Sequence, residues 1–129
     1  MASGKHLELL LDLAIIDVVA GQRLNPLLAD QDEVPHMAHV AVCGFPNFRL
    51  GDSGVLTPGF IVGTRPKSGV RRMLTNASII AGMSGGPALG ASGNVIGVCV
   101  SGSKFFQGAS ETEDHAIIPV SAFDILSVA

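Results

Sequence analysis

A serine stands among glycines at Gly82-Met83-Ser84-Gly85-Gly86-Pro87, and after Ala88-Leu89 and a glycine-rich turn comes the apolar run Val95-Ile96-Gly97-Val98-Cys99-Val100. Glycine frees the backbone so that several N–H groups can converge on one point. That arrangement suits a serine nucleophile, because the oxyanion it creates needs donors already aimed at it. A general base must come within hydrogen-bond reach of such a serine. The histidines are His6, His36, His39 and His115, and two acids, Asp12 and Asp17, interrupt an apolar stretch near the N-terminus. His6 cannot reach Asp12: six residues span about 20 Å on a strand, and on a helix about 9 Å on different faces. His36, His39 and His115 read as surface residues. No two histidines sit at ligand spacing beside a carboxylate or thiolate, so neither a metal nor another cofactor is expected. A second Gly-x-Ser-Gly, Gly51-Asp52-Ser53-Gly54, lacks the following Gly-Pro and reads as a hairpin turn.

The elements that must position Ser84 follow from punctuation and alternation. Six strand-like segments cover Ala38–Cys43, Gly54–Thr64, Val70–Asn76, Pro87–Leu89, Val95–Val100 and His115–Val120, separated by turns such as Pro66-Lys67-Ser68-Gly69 and Ser92-Gly93-Asn94. Six short strands at such intervals predict a closed antiparallel barrel in an all-β domain. Residues Ser121 to Val128 predict a short terminal helix, with Ser121 as cap, Asp124 three residues on, and a Val120–Ile125 staple. Leu9 to Val19 is apolar apart from its two acids and reads either as a strand buried on both faces or as an amphipathic helix. Gln22 to Pro35 is a polar, proline-bounded connector. The divisions are therefore a tail or expression remnant at 1–8, the apolar segment and linker at 9–35, and the barrel at 36–129. There is no internal repeat.

With 129 residues the chain is long enough for one domain with its own core, and 47% hydrophobic against 15% charged residues excludes disorder. A net charge of −3, with Arg71-Arg72 as the one basic pair, argues against nucleic acid as a partner. No apolar run reaches the ~18 residues of a membrane span. The first residues lack the pattern of a secretory signal, which leaves the cytoplasm as the default compartment. Cys43 and Cys99 sit in apolar runs and read as buried free thiols, with a disulfide between them as the competing reading.

The nucleophile stretch resembles that of trypsin-like serine proteases, and its surroundings are similar to the high-temperature-requirement (HtrA) branch. Asp12-Leu13-Ala14-Ile15-Ile16-Asp17-Val18 resembles the strand carrying the triad aspartate. Val42-Cys43-Gly44-Phe45-Pro46-Asn47 resembles the Gly-x-Pro turn, and Thr57-Pro58-Gly59-Phe60-Ile61-Val62 the strand after it. Thr75-Asn76-Ala77-Ser78-Ile79 looks like the approach to the nucleophile, and Ala116-Ile117-Ile118-Pro119-Val120 like the closing strand. The resemblance implies two barrels with the site between them, of which six strands and a terminal helix represent the second; the first is largely absent here. It also implies Ser84 as nucleophile, the amides of Gly82 and Ser84 as oxyanion hole, and Asp12 as the acid that orients the base. Val100, Ser101 and Gly102 take the place of the strand that receives substrate backbone. The Phe105-Phe106 loop either rims the pocket or packs on the barrel. With no acid on the pocket floor, a small or apolar side chain is expected before the scissile bond. Met83 replaces the Asp or Asn usual before the nucleophile, leaving open how the oxyanion loop is held.

The Thr-Ala-x-His context of the family's histidine is absent. Without that base the chain is expected to be close to inactive alone, as a portion of a serine endopeptidase acting on polypeptides. The alternative is a non-catalytic barrel that binds peptides or directs assembly. An α/β-hydrolase elbow is excluded, because Gly85-Gly86-Pro87 forbids the helix that must follow the serine. Leu9–Val19, with its barrel partners missing, is expected to pair with a second copy, dock the missing barrel, or fold over this one.

Overall fold

The computed structural model describes residues 13–16, 26–30, 34–67, 69–80, 82–101 and 115–127. Strands β1 (His39–Gly44), β2 (Val55–Lys67), β3 (Val70–Thr75), β4 (Pro87–Gly90), β5 (Val95–Ser101) and β6 (His115–Pro119) precede one helix, α1 (Ala122–Ser127). The strands close into a barrel in the order β1-β2-β3-β6-β5-β4, with every pairing antiparallel.

Every expected strand is found, and β2 alone ends more than one residue from its expected limit. It runs on through Arg65-Pro66-Lys67 because β3 keeps pairing with it as far as Lys67 opposite Val70. Pro66 is tolerated there because it lies on an exposed arm beyond the barrel wall, where no second neighbour needs its missing N–H.

Alternation explains the core. Val40 and Val42 point into the barrel with Ile61, Met73, Ile79, Met83, Ala88, Ile96, Cys99 and Ile117, while the β1 residues between them are less buried. A second cluster on the outer wall gathers Val70, Val100, Ala116, Ile118 and Ala122. Strand β6 is therefore buried on both faces, Ile117 inward and Ala116 and Ile118 under α1. The helix begins where expected: Phe123 and Asp124 donate to the carbonyls of Val120 and Ser121 at 3.0 and 3.2 Å.

Residues 9–12 and 17–19 of the apolar run lie outside the described residues, and its described part is residues 13–16. Those four form neither strand nor helix. A closed barrel offers no free edge for another full strand, so Leu13 inserts its side chain into the outer cluster while Ile15 and Ile16 stay exposed. The connector is also more engaged than its polarity suggests. Val95 donates to Leu28, and Asp30 donates to Val95, forming a short bridge parallel to β5. The Asp30 carboxylate then accepts from Ser92 Oγ at 3.2 Å and Asn94 Nδ2 at 3.1 Å, tying the connector to the β4–β5 turn. Cys43 and Cys99 are free thiols, so the disulfide reading fails. Burial pushes the Cys99 thiol up to about 12 and also raises Cys43.

Candidate active site

The segment leading to Ser84 is tied down at its start. Thr75 is buried, and its hydroxyl donates to the Phe60 carbonyl at 2.9 Å while accepting the Ala77 N–H at 3.1 Å. Asn76 Oδ1 accepts the Phe60 N–H at 2.8 Å. These side-chain bonds continue the β2–β3 ladder past the last regular pair and fix the direction in which the chain leaves it.

The loop itself is a chain of tight turns. Met83 donates to Ile80 at 2.9 Å and Gly86 donates to Met83 at 3.0 Å. Gly82 has φ +93°, and a Cβ there would run into the Phe45 carbonyl, so only glycine fits between the loop and the end of β1. On its other side the loop is stitched to β5: Gly85 donates to the Cys99 carbonyl and Cys99 to the Gly86 carbonyl, each at 2.8 Å. The internal turn bonds thus use the amides of Met83 and Gly86, and the β5 stitch uses that of Gly85.

Met83 answers the question of how the loop is held. Its side chain is 1% exposed and belongs to the barrel core. Packing takes the place of the ion pair or polar anchor that an Asp or Asn would provide.

Ser84 is exposed at the crest of this loop, and Gly82 is exposed beside it. Beyond Val98, the partner of Pro87, strand β5 has left β4, is bonded at Cys99 by Gly85 and Gly86, and runs on to Ser101. Its far edge stays covered, with Val100 paired to Ala116 and Ser101 to His115. The Val100 side chain is buried in the outer cluster, so only its backbone could meet a ligand. Ser84, Gly82, Val100 and Ser101 are therefore brought to one end of the barrel. Asp12 and Gly102 lie outside the described residues, as do His6, Asp17, Phe105 and Phe106.

The three described histidines have other engagements. His36 lines a cleft with Thr64 and Arg71, and His39 packs its ring 4.7 Å from Phe60. His115 departs from the surface reading: it is half-buried and its Nδ1 accepts the Ile79 N–H at 3.1 Å. It thereby braces the approach to Ser84, a role that no local motif announces because its partner is 36 residues away. Ser53 lies exposed in the β1–β2 connection, where Arg49 N–H donates to Asp52 Oδ2 and Asp52 N–H to the Arg49 carbonyl, as a turn serine should. Among the described residues no cluster of three or more His, Cys, Asp or Glu could hold a metal.

The family profile for the trypsin-like peptidase domain matches residues 3–98. This chain belongs to the trypsin-like peptidase family. Its fold is also that of solved proteases, one of them of HtrA type. The Rv3671c protease from M. tuberculosis in its active form is 20% identical with a TM-score of 0.64, over 84% of this chain and 49% of that one. The serine endoprotease from Yersinia pestis is 23% identical with a TM-score of 0.61, over 85% and 37%. The HtrA-type protease AlgW with a decapeptide is 25% identical with a TM-score of 0.58, over 78% and 31%. This trypsin-like chain thus spans about half, or less, of the length of the structures it matches. No curated protein matches it. Among its described residues no helix is long and apolar enough to cross a membrane.

Proposed function

We propose that this chain is the nucleophile-bearing barrel of a trypsin-like serine endopeptidase. Ser84 Oγ attacks the scissile carbonyl, its proton passes to an imidazole, and the tetrahedral oxyanion is held by the amides of Gly82 and Ser84. The imidazole later gives that proton to the leaving amine, and water cleaves the acyl-enzyme by the same route. Asp12 is assigned the orienting carboxylate, and the backbone from Val100 to Gly102 the pairing with substrate as an added strand. The observation that carries the reading is the exposed Ser84 on a loop stitched to β5, directly beside the stretch of that strand no longer covered by β4.

The base is assigned to a first barrel outside this chain, because no histidine here stands in the family's context and the chain spans only about half, or less, of its structural neighbours. Exposed Ile15 and Ile16 favour the apolar N-terminal segment as the surface that meets that barrel or a second copy. Removing the histidine alone costs a serine protease about 10⁶ in turnover, and the remaining machinery retains about 10³ to 10⁴ over water. The isolated chain is therefore assigned negligible turnover. A fluorophosphonate probe tests this. Labelling of Ser84 in a longer parent but not in this chain or in S84A supports the endopeptidase. Labelling in none assigns the barrel a non-catalytic, peptide-binding role instead.

A further inference from the structure

Among the described bonds of the approach to Ser84, one has an acceptor that can take up a proton. Ile79 N–H donates to His115 Nδ1 at 3.1 Å. Ile79 is 1% exposed and packs in the inner core, so solvent cannot stand in for that acceptor. The next residue, Ile80, offers the carbonyl that takes the Met83 N–H and starts the first turn of the loop. The other bonds described around the loop and its approach join backbone, hydroxyl and amide groups.

A backbone N–H can only donate, so Nδ1 carries no proton and the hydrogen of the ring is on Nε2. A second proton would occupy Nδ1, turning the acceptor into a donor that faces another donor. Imidazole is the side chain that ordinarily titrates between about pH 5 and 8. Strand β6 sets His115 opposite Ser101 on β5. Two residues back along β5 is Cys99, buried and, with its thiol pushed up to about 12, uncharged over that range. Arg71 and Arg72 precede Met73, the partner of Ile117, and so stand on β3 toward the other end of β6; Asp124 is on α1, past that end. Residues 13–16 and 76–80 carry no charged group. Along the chain His115 follows the acidic run Glu111-Thr112-Glu113-Asp114, which lies outside the described residues.

We infer that His115 is a positioning residue that makes the approach to Ser84 sensitive to acid: its neutral imidazole holds Ile79, and a proton on Nδ1 releases it. The release is local. Thr75 and Asn76 still fix the segment upstream, and the stitch from Gly85 and Gly86 to Cys99 still holds the loop downstream. Between them the Ile80 carbonyl, and with it the turn that carries Ser84, loses its brace. Any effect on turnover rests on the endopeptidase reading of Ser84; the release itself does not.

Amide exchange of the full chain tests it, read as protection factors so that the intrinsic pH dependence of exchange is removed. Between pH 7.5 and pH 5 protection at Ile79 is expected to fall about tenfold, the weight of one buried donor left unmet. Gly90, whose N–H donates to the Asn94 carbonyl, should stay level. The ¹⁵N signal of His115 Nδ1 should be that of an unprotonated nitrogen at pH 7.5 and should titrate with the same midpoint as the Ile79 protection. H115N keeps an acceptor near the Nδ1 position but takes up no proton, so its Ile79 protection should match the parent's at pH 7.5 and hold at pH 5. H115F has no acceptor and should show the low value at both. Level protection at Ile79 in the parent, a proton on Nδ1 at pH 7.5, or a parent-like fall in H115N would overturn this role. The parent's own readouts decide it even where a variant fails to fold. None of them requires turnover, so they leave the endopeptidase reading to the fluorophosphonate probe.

Discussion

Replacing Met83 with alanine tests whether the nucleophile loop is anchored by packing. The side chain is 1% exposed, lies in the inner core cluster, and its backbone is seated so close to β1 that a Cβ on Gly44 would come within 2.8 Å of Met83 Cα. A site this tight collapses poorly, so the lost transfer energy and the residual cavity both count. Large-to-small changes of this kind cost about 2–5 kcal/mol, a large share of the about 5–15 kcal/mol that holds a domain folded. With a urea slope of about 1–3 kcal/mol/M, M83A should lower the urea midpoint by roughly 1–2 M with an unchanged slope. M83L keeps the volume and should cost below about 1.5 kcal/mol. M83D buries a carboxylate without a partner and should be the worst of the three. An M83A midpoint indistinguishable from the parent, or an M83D protein as stable as M83L, would refute the packing account and return the loop to a polar anchor.

Three further expectations follow from bonds and burial. T75V removes a hydroxyl that accepts the Ala77 N–H and donates to the Phe60 carbonyl; Asn76 still serves that carbonyl, but leaving the Ala77 N–H unmet costs about 1–3 kcal/mol, and a thermal midpoint equal to the parent's would show the hydroxyl dispensable. D30A cuts two hydrogen bonds to the β4–β5 turn, each worth about 0.5–1.5 kcal/mol net. Its loss should appear as faster amide exchange at Asn94, and unchanged exchange would mean the clamp is idle. Cys99, raised to about 12 by burial, should resist alkylation in the folded chain at pH 8, whereas the less buried Cys43 reacts slowly. The unfolded chain loses the Cys99 proton near the ordinary value of 9.0 and the folded chain only near 12. Stability should therefore fall as pH rises through that window in the parent and fall less in C99A; an identical alkaline decline in both would contradict the shift.

The barrel was legible because its strands are short, alternating and separated by residues that can do little except turn. The Ser84 loop was legible for a related reason: Gly82 must occupy positive φ against the Phe45 carbonyl, so the residue type betrays the geometry. What escaped reading depends on distant partners. His115 looks like any exposed histidine after an acidic run until β6 brings its ring to Ile79. Asp30 looks like linker polarity until the parallel bridge at Ala29 sets it over Ser92 and Asn94.

The described bonds that shape the Ser84 loop separate two problems that the family usually solves together. The loop's partners are Phe45 at the end of β1, Cys99 on β5, the Ile80 and Met83 carbonyls of the loop itself, and His115 behind its approach. All belong to the one barrel. On the proposed assignment, this barrel alone would build the nucleophile and its oxyanion donors, and the first barrel would supply the imidazole. Anchoring through Met83 reinforces that independence. A thioether buried in the core holds its place in the loop by packing and needs no charge delivered by a cleaved terminus.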